Sequence, residues 1–183
     1  MVGAPPTVSI NAPAPATTWQ VGTVFNFSGS ATSQEDGPLP ASAYTWTLIL
    51  SHCPSGNTCH THTLQHFEGV RNGTFTAPDH DYPSYLELRL TARSANGLTT
   101  AQSVRLDPRT SKLNVTTEPA GQRVTVNARE GVAPSTRTVI RGSSNVLSPP
   151  TESADSPLVF TGWAVDSQAI GWKNPLVHGR GNS

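Results

Sequence analysis

Charged side chains are scarce in this chain, and neither sign prevails. Only 13% of the residues are charged, and 12 Lys and Arg balance 12 Asp and Glu, so the net charge is zero. Without a basic surface nothing attracts the phosphates of a nucleic acid or an anionic lipid, and we expect neither partner. The balanced charge also differs from the high net charge typical of disordered chains.

Long apolar stretches and common catalytic motifs are missing as well. No run of apolar residues is long enough to cross a bilayer. Residues 1–6 have neither the basic nor the apolar region of a signal peptide, so we expect a mature fragment or a piece of a longer protein. The chain has no G-x-S-x-G elbow, which excludes an α/β-hydrolase at the level of motifs. It also has no glycine-rich loop of the kind that binds phosphates.

Cysteine is limited to one close pair, Cys53 and Cys59. The flanking Pro54, Gly56 and Asn57 favour a turn, which suits a disulfide worth roughly 2 kcal/mol in the chain-entropy model. A disulfide implies an oxidising compartment, so we expect a secreted or extracellular protein. A zinc-thiolate pair is the alternative, although the spacer is not that of a usual zinc knuckle.

The residues that are abundant favour β-structure. Thr, Ser, Pro, Gly, Asn and Val dominate, and good helix formers are few. Apolar and polar residues alternate along several segments, which predicts strands at 23–28, 44–50, 85–92 and 99–106. Asn96-Gly97 is a strong hairpin signal between the last two. Short strands at this spacing, with Trp46 in a central one, predict an antiparallel sandwich.

The strand pattern restarts after a segment with the composition of a linker, residues 107–111. Further strands are predicted at 112–117, 122–128, 136–141 and 158–165, followed by a tail from Ser167 without clear periodicity. We therefore predict an all-β protein of two tandem Ig-like sandwich domains, 1–108 and a smaller 109–183.

The first domain also resembles a known family. Its F-x-G-x-A-x-x-x-E-D-G-x-L-P-x-x-x-Y-x-W pattern and the stretch L-E-L-R-L-T-A-R-S-A-N-G-L-T resemble the PKD type of Ig-like domain. The insertion H-C-P-S-G-N-T-C-H-T-H-T-L-Q-H-F resembles that of PKD-type modules attached to secreted bacterial glucose/sorbosone dehydrogenases. The resemblance covers about residues 5–110, and the rest is similar to small β-domains that follow such modules. It implies a binding or spacing role beside a parent catalytic domain.

Five of the six histidines lie between residues 52 and 80. In a strand, His60 and His62 share one face, and His52 and His80 arrive from neighbouring segments, so these four are the candidate metal ligands. Neutral imidazoles suit Zn²⁺, with Cu or Ni as alternatives. His66 is a weaker candidate, because an intact strand would place it on the same face about 13 Å further along. We assign no function to His178.

A metal held by these histidines could have either of two roles. It could pin the insertion structurally, or it could activate a water for hydrolysis of an activated ester or phosphoester. In the second case Asp79, Asp81 or Glu68 could accept the proton of that water. The alternative to any site is that these are solvated surface histidines.

The sequence offers candidates for two further kinds of binding site. Aromatic side chains could form a sugar-stacking platform, the candidates being Trp19, Tyr82, Tyr85, Trp163 and Trp172. Of these, Tyr85 and Trp163 are more simply core residues. Glu35, Asp36 and Asp79 could bind Ca²⁺, but they lack the dense acidic spacing of a calcium loop.

The leading hypothesis is an extracellular PKD-like accessory module with a histidine metal site. A small metal-dependent hydrolase and a carbohydrate-binding module are the alternatives. The expected partners are a parent catalytic domain, a polysaccharide or a small ligand, and we expect a monomer.

Overall fold

The structure is a computed structural model that describes residues 3–55, 58–149, 158–165, 168–170 and 176–178. Within these ranges the regular elements are β-strands, apart from one short 3₁₀ turn at Ala41–Ala43. The predicted all-β fold with antiparallel sheets is confirmed. None of the residues described forms a helix long and apolar enough to cross a membrane.

The chain divides into two compact units. The first comprises Met1–Pro78 and Tyr82–Arg109, and the second comprises Asp79–Asp81 and Thr110–Ser183. A three-residue segment within the N-terminal half of the chain therefore belongs to the second unit.

The first unit is a sandwich of two sheets. Its strands are β1 (Thr7–Ala12), β2 (Thr18–Trp19), β3 (Val24–Ser33), β4 (Gly37–Pro38), β5 (Tyr44–Ser55), β6 (Thr58–Glu68), β7 (Asn72–Thr76), β8 (Ser84–Arg93) and β9 (Thr99–Pro108). One sheet has the order β1-β3-β4 with β7 also paired to β3, and the other has the order β2-β9-β8-β5-β6. Strand β6 is thus an edge strand of the five-stranded sheet.

Alternating side chains of the two sheets form the core of the first unit. In β5 the residues Tyr44, Trp46, Leu48 and Leu50 are buried on one face, and β8 buries every second residue in the same way. The Trp46 ring lies 4.8 Å from the ring of Phe27 on the opposite sheet. Its indole N–H donates to the Val70 carbonyl at 3.0 Å, so the polar end of the buried ring is satisfied.

A glycine lets the two sheets approach closely. A Cβ atom at Gly29 would lie 2.6 Å from Leu90 Cδ2 and 2.8 Å from the Ser9 carbonyl oxygen. A larger residue in this strand would therefore push the sheets or the β1–β3 pair apart.

The second unit is built from shorter strands. They are β10 (Thr110–Val115), β11 (Arg123–Val126), β12 (Arg129–Val132), β13 (Ser135–Ile140), β14 (Asn145–Ser148), β15 (Trp163–Val165), β16 (Gln168–Ile170) and β17 (Leu176–His178). They form the sheets β10-β13, β12-β11-β14-β17 and β15-β16. A small aliphatic cluster forms the core: Val115, Val124, Val126, Ala133 and Leu147.

Two sequence-based expectations for the second half were wrong in detail. The expected linker at 107–111 is strand on both sides of Arg109, because β9 runs to Pro108 and β10 starts at Thr110. The strands predicted at 112–117 and 122–128 correspond to β10 and β11, which pair with β13 and with β12 and β14, respectively. Of the strand expected at 158–165, only Trp163–Val165 is extended and paired.

Candidate functional site

The candidate site lies at the end of the β5–β6 hairpin. Cys53 and Cys59 form the expected disulfide, with an S–S distance of 2.07 Å. Beside it, His52 of β5 pairs with His60 of β6, and Leu50 pairs with His62. Directly paired residues of antiparallel strands project to the same side, so all three imidazoles lie on the face that carries the core residues of β5.

The three rings are in contact. The ring centres of His52 and His60 are 5.1 Å apart, and those of His60 and His62 are 5.0 Å apart. Both pairs meet edge to face. His60 and His62 are exposed and His52 is half-buried, so solvent reaches the group from the β6 side.

A bulge in β6 separates His66 from this group. Leu48 pairs with Gln65 whereas Ile49 pairs with Thr63, so Leu64 is an extra residue that reverses the alternation of the strand. His66 therefore pairs with Thr47 on the outer face of the sheet, where its Nδ1 lies 3.3 Å from the threonine hydroxyl. The expectation that His66 would share the face of His60 and His62 was wrong.

The same bulge moves Glu68 away from the histidines. Glu68 pairs with Thr45, which is also on the outer face. Its carboxylate is therefore not placed to accept a proton from a water bound at His60 and His62.

The other sequence-selected candidates, at residues 79–81, belong to the second unit. Both oxygens of Asp79 accept from the Ser144 backbone N–H at 3.1 and 3.2 Å. Asp81 accepts from the Asn127 side-chain amide at 2.9 Å. His80 Nδ1 lies 3.1 Å from the Asp81 carbonyl oxygen. These hydrogen bonds hold the segment within the second unit. The group of His52, His60 and His62 lies in the first unit and does not include a residue of this segment.

The nitrogen atoms of the histidine group are not arranged as a complete metal site. Within the described ranges, no three His, Cys, Asp or Glu side chains are placed to hold an ion. The spacing of the rings nevertheless matches shared ligation. Two imidazoles bound to one tetrahedral Zn²⁺ at about 2.0–2.1 Å per nitrogen have ring centres about 5 Å apart.

Two of the three acidic residues considered for Ca²⁺, Glu35 and Asp36, instead hold loops of the first unit. Glu35 accepts from the Ala4 backbone N–H at 3.2 Å and from the Ser33 hydroxyl at 3.0 Å. The hydrogen bond from Ser33 is the main cause that lowers the pKa of Glu35. Asp36 accepts from the Ala95 N–H at 3.1 Å.

The outer face of the five-stranded sheet carries a polar network that sequence reasoning missed. Arg105 lies 3.7 Å above the ring of Tyr85, and Glu87 accepts from Arg89 at 2.8 Å and from Ser103 at 2.7 Å. Burial raises the pKa of the Glu87 carboxyl, but the hydrogen bonds from Ser103 and Arg89 outweigh it and the pKa lies below its ordinary value. The alternation of side chains in β8 and β9 could have indicated this network, since the charged residues of each strand occur at every second position.

The aromatic candidates of the first unit differ in their exposure. Trp19 is fully buried, and its indole N–H donates to the Leu106 carbonyl at 3.0 Å. Tyr85 is half-buried beneath Arg105, whereas Tyr82 is 39% exposed. Trp172 lies outside the described residues. The expectation that Trp19 is free to bind a sugar was wrong.

The second unit contains a surface cleft of about 600 Å³. Phe160 and Trp163 lie along it with ring centres 5.1 Å apart, and Glu118 and Gln122 are among its polar lining residues. An aromatic pair beside hydrogen-bonding groups is the usual composition of a small-ligand site.

Comparison of the chain with protein-family models, curated proteins and solved structures found no match.

Proposed function

We propose that this chain is an extracellular PKD-like binding module of a larger sugar-active protein, and that its first unit binds a transition-metal ion, Zn²⁺ foremost. The ligands are His52, His60 and His62. The observation that carries the proposal is the contact of three imidazoles at 5.0 and 5.1 Å on one face of the β5–β6 hairpin.

A structural role fits this position better than a catalytic one. The ligands come from both strands of a hairpin, so a metal would link β5 to β6, whose residues from Thr58 to Gln65 are all exposed. Such a strand buries little apolar surface, and bound metal would add binding free energy to the stability of the hairpin. Hydrolysis would also need a base, and Glu68 faces the other side of the sheet.

The test is the metal content of the tag-free protein after loading with Zn²⁺ and desalting, measured by elemental analysis. We expect about one half to one zinc ion per chain in the wild type. The double variant His60→Ala/His62→Ala should retain none. The matched control is His66→Ala, which removes an imidazole from the same strand but from the outer face and should retain zinc like the wild type. Zinc-free wild type, or equal retention by the double variant, would rule out this site.

The cleft of the second unit supports a second candidate function, binding of a saccharide. A sugar ring stacks on aromatic faces while its hydroxyls bond to groups such as Glu118 and Gln122. Retention on insoluble polysaccharides should then be lost in Phe160→Ala. No retention of the wild type on any polysaccharide tried would remove this candidate.

A further inference from the structure

The free edge of β6 has no charged residue or proline to prevent pairing, and its one protective feature, the bulge at Leu64, lies after residue 63. Edge strands are commonly protected by charged residues or proline. From Thr58 to Phe67 the sequence T-C-H-T-H-T-L-Q-H-F has neither. In the described part of the chain, β6 has a neighbour on one side only, β5.

The regular part of this edge is short and well defined. It begins at Thr58 after the hairpin turn and ends at Thr63, because the bulge at Leu64 interrupts the ladder. A second strand could therefore pair over residues 59–63. If that strand is β6 of another copy in antiparallel orientation, the two-fold axis of the pair passes through Thr61.

This register brings the histidines of both copies together. With Thr61 opposite its equivalent, His60 stands directly opposite the partner's His62, and His62 opposite the partner's His60. Directly opposed residues have Cβ atoms about 4.5–5.5 Å apart and share one face of the sheet. Four imidazoles then surround one point, which is the ligand number that a closed tetrahedral zinc site requires.

We propose that Zn²⁺ joins two copies of this chain through their β6 edges, with His60 and His62 of each copy as its four ligands. This inference rests on the proposed metal site and changes one part of it: His60 and His62 remain ligands, and the partner's His60 and the partner's His62 take the place of His52. One chain does not by itself arrange three ligands, and the second copy supplies the missing ones. Without metal, five paired residues per strand bury too little surface to hold a dimer, so the metal-free protein is a monomer.

Thr61 provides the sharpest variants because it is exposed, lies at the axis and points to the face opposite the histidines. Thr61→Lys places two lysines opposite each other, and Thr61→Glu places two glutamates there. Like charges in directly opposed positions destabilise a strand pair, and opposite charges stabilise it. Neither change alters a metal ligand.

The experiment is sedimentation velocity of the full chain with and without Zn²⁺, combined with the zinc-to-protein ratio. We expect a monomer without metal and a dimer with one zinc per two chains. With zinc, Thr61→Lys and Thr61→Glu should each dimerise more weakly than the wild type, by about 2- to 5-fold in the dissociation constant, and their mixture should dimerise at least as tightly as the wild type. The control His66→Ala should dimerise like the wild type.

The outcomes separate this inference from the proposed function. A monomer that binds one zinc per chain would overturn the dimer and leave the metal site intact. A protein that binds no zinc would overturn both. A zinc-dependent dimer whose dissociation constant is the same in the wild type, in both Thr61 variants and in their mixture would show that the contact lies elsewhere and would also overturn this inference.

Discussion

The two units of the chain differ in what holds their strands together. The first unit buries large side chains between two sheets, and of the largest fully buried side chains among the described residues only Ile140 belongs to the second unit. The core of the second unit is a cluster of small aliphatic residues. Because stabilisation scales with the apolar area buried, the second unit depends more on its polar contacts.

Asn127 illustrates this dependence. It occupies the turn between β11 and β12, where Asn127 and Ala128 have φ angles of 48° and 61°. Its amide donates to Asp81 at 2.9 Å and to Asn145 at 2.8 Å, and its carbonyl oxygen accepts from the Val146 N–H at 2.8 Å. One turn residue thus connects three segments of the second unit.

The largest expected effect is loss of the central tryptophan of the first unit. Trp46→Ala should lower the free energy of unfolding by about 3–5 kcal/mol, since it leaves a cavity beside Phe27. The corresponding change in the second unit, Val124→Ala, removes two methyl groups and should cost about 2 kcal/mol. Peptide-resolved hydrogen exchange in denaturant measures the free energy of unfolding of each unit separately. Equal costs would contradict the difference between the cores.

Removing the disulfide should have a smaller effect that is confined to the first unit. Cys53→Ser/Cys59→Ser should lower its stability by roughly 2 kcal/mol, because the unfolded chain regains the freedom of a small loop. Urea titration followed by exchange of residues 44–68 and of residues 110–149 checks this. A comparable loss in residues 110–149 would argue against it.

The polar network of the second unit predicts an effect of similar or smaller size. Asn127→Gly keeps the positive φ but removes the three hydrogen bonds, and should destabilise the second unit by about 1–2 kcal/mol. The neighbouring Ala128→Gly is the matched control. It relieves a left-handed alanine and should stabilise the same unit by up to about 1 kcal/mol. Thermal melts of both variants measure the two shifts in melting temperature. A stabilising Asn127→Gly would contradict the role of the Asn127 hydrogen bonds.

The smallest expected effect concerns Glu87. Because its folded-state pKa is lowered, its contribution to stability is present above the ordinary value of 4.5 and is lost as the pH falls through the folded-state value. Glu87→Gln should therefore reduce stability at pH 7 by less than about 1 kcal/mol and flatten the decline in acid. Chemical denaturation at pH 7, 5 and 3 measures both the stability at neutral pH and its decline in acid. A steeper acid decline in the variant would refute the assignment.

Much of the first unit could be predicted because its signals are local. The alternation in 44–50 and 85–92 determines which side chains of β5 and β8 are buried, and Asn96-Gly97 indicates the turn between β8 and β9. The disulfide followed from two close cysteines. By contrast, the bulge at Leu64 depends on how β6 pairs with β5, and it is what places His66 and Glu68 on the outer face.

The second unit was harder to predict because its strands are short and because its side-chain hydrogen bonds join residues that are distant in sequence. Nothing near Asp79 or Asp81 indicates that they bond to Ser144 and Asn127, which lie 65 and 46 residues away. The strands β12 and β14 have four residues each, too few for alternation to stand out.

The most direct test of the histidine site uses the difference between the units. Hydrogen exchange of the full chain should be recorded with and without Zn²⁺, for the wild type and for His60→Ala/His62→Ala. We predict that zinc slows exchange in residues 44–68 of the wild type, leaves residues 110–149 unchanged, and has no effect on the variant. Equal slowing in both units, no slowing at all, or slowing that persists in the variant would contradict a metal site on the β5–β6 hairpin.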